Sequence, residues 1–128
     1  MPIENTIEHN QRCVYTICNG IMCAQDFDDY IGRIWTDSSH FGYNEFFDTT
    51  LADWSEFDFS YLLDIAKQAA QLTAIDTSSR LAWYVTEGKD KELTDFYITV
   101  KSFITSESRS LEAFYNREDA LAWLGIKS

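Results

Sequence analysis

The feature that most constrains this chain is a hydrophobic period that switches repeatedly along it. From Arg12 to Asn19 the residues alternate, with Cys13, Tyr15 and Ile17 set against Val14, Thr16 and Cys18, which is the pattern of a strand. From about Ala24 the period becomes helical. Phe27, Tyr30, Ile31, Ile34 and Trp35 fall at i, i+3, i+4, i+7 and i+8 and form one apolar stripe. A chain that changes period in this way must build layers, with helices packed on a sheet.

The same reading extends to both ends. Ile3 to His9 reads as an edge strand, joined to the next by little more than Asn10-Gln11, so the two are expected to pair as a hairpin. Asp37 to Gly42 closes the first helix. A short apolar strand then carries Phe46 and Phe47 and is expected to stop at Asp48-Thr49-Thr50. A second helix, from about Ser60 to Leu72 or Thr73, turns Leu62, Ile65, Ala66, Ala69 and Leu72 inward. Ser79 to Thr86 is a strand whose inner part, Leu81 to Val85, is nearly continuously apolar, as a central strand should be. After a turn at Gly88–Lys91, a third helix presents Leu93, Phe96, Tyr97, Val100, Phe103 and Ile104. Arg109 to Tyr115 is the last strand. Asn116 caps a terminal helix, Arg117 to Leu124, with Asp119 at its third position and Gly125 ending it. The order β-β-α-β-α-β-α-β-α predicts an α/β fold in one domain over residues 1–128. Its sheet is mostly parallel, of about five strands with about four helices.

Charge narrows the partners. Residues 1–64 carry twelve acids against Arg12 and Arg33, and residues 65–128 carry nine acids against eight bases, so most of the net charge of −11 lies in the first half. Such a surface repels phosphate backbones and anionic lipid, which excludes nucleic acid as an expected partner. No apolar run approaches the length that spans a membrane. Cys13 and Cys18 have opposite strand parity, so a shared metal is geometrically awkward. With Cys23 they read as three buried or half-buried free thiols of a cytoplasmic protein.

The aromatic content of 16% is more than a small core easily hides. Much of it gathers between Asn44 and Asp64. There Trp54, Phe57, Phe59 and Tyr61 are interleaved with Asp53, Glu56 and Asp58 just before a helix begins. A strand running through a loop into a helix start is where open α/β sheets place their working surface. Together with Tyr30 and Trp35, these rings are the candidate binding residues, either closing over an apolar ligand, meeting a membrane interface, covering the sheet end or forming a dimer contact. His9 and His40 are isolated, and there is no glycine-rich phosphate loop. The spacing of Asp48, Asp53 and Asp58 would suit carboxylates around one mouth, but no basic or histidine partner gives them acid–base roles. No catalytic residue, metal or cofactor is therefore expected.

The order of elements resembles the sulfate-transporter and anti-sigma-factor-antagonist (STAS) superfamily, and more closely its small bacterial SpoIIAA-like branch, also called STAS/SEC14-like. The residues that carry the resemblance are the hairpin ending in Asn19-Gly20, the strand ending Phe46-Phe47-Asp48, the apolar strand Leu81–Val85 and the finish from Phe114 to Leu124, similar to the family's E-x-A-x-x-W-L ending. The resemblance implies a non-catalytic, regulatory interaction module. It would recognise a protein partner or its own dimer through the loop 48–61 and the helix after it. Phosphorylatable members open that helix with D-S-S-G. Here Asp58 and Ser60 are kept, while Phe59 replaces the first serine and Tyr61 the glycine, so Ser60 is the implied phosphoacceptor. The branch is also similar in fold to SEC14/CRAL-TRIO domains, which implies a small apolar or lipid-like ligand and peripheral membrane contact as alternatives.

Overall fold

In the computed structural model, residues 2–35, 39, 42–58, 60–61, 64, 67, 79–86, 92–95, 98–99 and 110–126 are described, Trp35 by its backbone alone. Strands β1 (Ile3–Glu8), β2 (Cys13–Ile21), β3 (Asn44–Asp53), β4 (Arg80–Tyr84) and β5 (Ser110–Phe114) form one sheet in sequence order. β1 pairs antiparallel with β2, and the other three pairings are parallel. Helix α1 (Ala24–Tyr30) leads into a π-helical turn, Ile31–Trp35, and α2 (Arg117–Trp123) follows β5. In the two remaining connections Tyr61, Asp64 and Lys67, and residues 92–95 and 98–99, have helical backbone. The rest of both predicted stripes, from Leu62 to Leu72 and from Phe96 to Ile104 except Ile98 and Thr99, lies outside the described residues, as do His40 and the turn at 88–91.

The hairpin turn is longer than Asn10-Gln11. Backbone bonds from Gln11 N to Glu8 O and from Arg12 N to His9 O, both 3.2 Å, close it, and Arg12 adopts the left-handed conformation at φ 51°. The Arg12 guanidinium lies 5.0 Å from the Tyr43 ring centroid, a contact that holds a residue which would not otherwise favour that backbone.

β3 corrects the expected strand end. It does not stop at Asp48 but runs to Asp53, pairing Asn19 with Leu51, Gly20 with Ala52 and Ile21 with Asp53. Where β2 advances from Ile17 to Asn19, β3 advances from Asp48 to Leu51, so β3 carries one extra residue, a bulge. The Thr50 N–H donates to Asp48 Oδ1 at 2.9 Å and its hydroxyl to the same oxygen at 2.7 Å. Asp-Thr-Thr has the chemistry of a turn, and here it closes a bulge inside a continuing strand.

The sheet separates two apolar layers. On one side Val14, Cys18, Phe47 and Trp83 pack with Phe27, Tyr30, Ile31 and Ile34. On the other, Cys13, Phe46 and Ala82 meet Ala120, Leu121 and Leu124. Cys13 and Cys18 are buried in different layers, as their parity requires, and are free thiols. Cys23 is exposed rather than buried. It sits immediately before α1, where its Sγ lies 3.1 Å from Asp26 Oδ2 and its backbone N–H donates to that oxygen at 3.2 Å. Asp26 thus serves the helix start. Asn116 does the same for α2, its Oδ1 accepting from Asp119 N at 2.8 Å.

Candidate functional site

The carboxyl end of β3 delivers the aromatic segment onto the α1 side of the sheet. Trp54 stacks on Phe27 with centroids 5.8 Å apart and planes 17° from parallel. Phe57 meets Phe27 and Trp54 edge-on at 5.5 and 5.2 Å, and Tyr61 meets Phe57 at 6.2 Å. Tyr30 packs against Phe47 at 6.1 Å. The structure therefore gathers Trp54, Phe57, Tyr30 and the half-buried Tyr61 into one aromatic layer. Trp54 is 4% exposed and Phe57 7%, so these rings cover the sheet end themselves. Phe59 and the Trp35 side chain lie outside the described residues. Tyr61 also donates its hydroxyl to Asp28, which ties the aromatic segment to α1.

One polar atom in this layer stands out. The Trp54 indole Nε1 is buried and, among the described residues, has no hydrogen-bond acceptor. The buried indole of Trp83 differs: its Nε1 donates to Thr49 Oγ1 at 2.8 Å.

The three aspartates each serve a local turn. Each turns back on the residue two positions later: Asp48 on Thr50, Asp53 on Ser55 and Asp58 on Ser60, with N–H to Oδ1 distances of 2.9 Å in each case. Ser60 is exposed, and its hydroxyl also donates to Asp58 Oδ1, at 2.8 Å. The Ser60 hydroxyl first, and then the Ser60 N–H, hold the Asp58 carboxyl below the usual carboxylate range.

Two features escaped the sequence. Glu45, the second residue of β3, is 1% exposed; its Oε2 accepts from the Thr16 hydroxyl at 2.6 Å and from the Tyr30 hydroxyl. The second is an open area of sheet. Ile17, Ile21 and Leu51 are exposed by 41%, 53% and 61% on the side that α2 covers elsewhere. The only signal for it was that β2 is apolar at alternate positions on both faces, which reads as a doubly covered strand. α2, seven residues long, extends only about 10 Å and covers the amino-terminal half of the face.

Among the described residues no group of three or more His, Cys, Asp or Glu side chains is placed to hold a metal. Nor, among the described residues, is any helix long and apolar enough to cross a membrane.

This architecture is a SpoIIAA-like α/β fold. The chain is similar to the crystal structure of an uncharacterised protein of the DUF3478 family with a SpoIIAA-like fold, from Shewanella loihica PV-4. The two superpose with a TM-score of 0.65 over 95% of this chain and 93% of that one, at 17% sequence identity. At that identity the likeness is one of fold. No family model and no curated protein matches the sequence.

Proposed function

We propose that this chain is a non-catalytic interaction module that recognises a protein partner beside the carboxyl ends of β2 and β3, next to the segment that leads through Ser60 into helical backbone. The observation that carries this reading is the exposure of Ile21 and Leu51 on neighbouring strands of a sheet whose other apolar side chains are largely covered. Apolar side chains clustered on an open sheet face, rather than scattered singly, mark association surfaces. Native mass spectrometry of the protein purified from its own host tests the reading. A protein–protein assembly that falls apart on Leu51→Lys supports it; a monomer under all conditions overturns it.

The buried Trp54 Nε1 favours a second reading, the binding of a small apolar ligand that carries a hydrogen-bond acceptor. A small mass that co-purifies, is lost on organic extraction and is also lost on Trp54→Phe would replace the first reading with this one.

A further inference from the structure

We infer that the occupant of the open sheet face is a cationic amphipathic helix of a partner protein, lying beside α2 as a further helix on the same face. This rests on the interaction-module reading and names the partner's chemistry.

Three observations meet here. The first is shape. Ile17 and Ile21 are four residues apart on β2, roughly 13 Å, and Leu51 lies on the next strand opposite Asn19, between them along the strand axis. Two turns of an α-helix rise about 11 Å, so apolar side chains at i, i+4 and i+7 of one helix reach all three. The second is precedent within the fold. At the other end of this face Ala120, Leu121 and Leu124 already lay a helix across Cys13, Phe46 and Ala82. The third is charge, which decides the occupant. Glu4 and Asp48 flank Ile17 in the register from β1 and β3, and Asp53 lies opposite Ile21, so acids rim the patch. Among the described residues the bases on this face, Arg80 and Arg117, sit at the other end, over the Trp123 ring at 5.3 Å and the Phe46 ring at 5.0 Å. A second copy of this chain, with a net charge of −11, would bring acid against acid. A helix with lysines or arginines flanking its apolar stripe meets both the isoleucines and the carboxylates.

The test uses the full chain, labelled for NMR, and a short helical peptide built of leucine and lysine at amphipathic spacing. Saturable shifts at Ile17, Ile21 and Leu51 are expected. They should weaken with salt and with Leu51→Lys by about tenfold or more, while the circular dichroism of the variant stays that of the parent. A leucine–glutamate peptide should not bind. Equal binding of a scrambled leucine–lysine peptide, or shifts centred elsewhere, would overturn the inference as non-specific attraction. Sedimentation analysis separates the two levels. A homodimer dissociated by Leu51→Lys would assign the face to a second copy, which overturns the cationic helix and leaves the interaction module standing. A partner assembly insensitive to Leu51→Lys would overturn the inference and would also move the recognition surface away from β2 and β3. A chain that remains monomeric and binds no peptide removes both.

Discussion

The hydroxyl of Thr16 donates to Glu45 Oε2 at 2.6 Å, and the same Thr16 oxygen accepts from Asn5 Nδ2 at 2.9 Å. Asn5 in turn takes a bond from Arg33 Nη2 at 2.7 Å. With Tyr30 also donating to Glu45, this relay joins β1, β2, β3 and the α1 region around a carboxyl buried in the sheet. A buried carboxyl needs such partners, because without them its desolvation is uncompensated.

Thr16→Val removes a donor to Glu45 and an acceptor for Asn5 while keeping the shape. It should cost about 1–3 kcal/mol in urea unfolding. Tyr30→Phe should cost a similar amount, and the double variant should lose less than the sum because both donors serve one oxygen. Strict additivity would show that the two bonds act independently.

Thr49 is equally exposed to test. It accepts from Trp83 Nε1 and donates to Tyr84 O at 3.2 Å from a fully buried position beside the bulge. Thr49→Val removes the hydroxyl that accepts from the Trp83 N–H, with an expected loss of about 1–3 kcal/mol. Thr49→Ser should restore most of it. A Ser variant no more stable than the Val variant would show that the retained hydroxyl does not carry the stability.

Burial first, and then the charges of Glu45, Asp48 and Asp26, push the Cys18 thiol well above its ordinary range. The folded chain therefore keeps a proton that the unfolded chain releases above about pH 8.5. Stability should be unaffected by this group at neutral pH and fall as pH rises past that value. Cys18→Ala lowers stability overall through its cavity, but should flatten the decline between about pH 8 and 10. An unchanged slope would assign the alkaline loss to other groups.

Asp58 offers a test of the Ser60 turn. Its carboxyl titrates low because Ser60 bonds to it, so the contribution is present above the ordinary carboxylate range and is lost as pH falls. In an NMR titration Ser60→Ala should move Asp58 back toward an ordinary aspartate. No movement would show that the backbone N–H alone holds it.

Most of the architecture was legible because it rests on local period. The hairpin, α1, β4, β5 and the Asn116 cap all follow from alternation, stripes and cap chemistry within a few residues. The reading of β3 stopped short because Asp48-Thr49-Thr50 has the same local chemistry in a turn and in a bulge. Only pairing with Asn19–Ile21 of β2 distinguishes them. Likewise, Cys23 looked like its two neighbours in sequence until α1 placed it at a helix start.

The sequence by itself determined which segments are strands and helices, and that aromatic rings would gather after β3. It did not determine which rings face inward. Trp54 and Phe57 are buried because Phe27 of α1 crosses the sheet beside them, a contact between residues more than twenty-five apart in the chain. Nor did it show that Ile17, Ile21 and Leu51 stay open. Apolar alternation records that a face is fit to be covered, while the length and placement of α2 decide how much of it is. Burial is a property of distant neighbours, and tertiary structure alone supplies them.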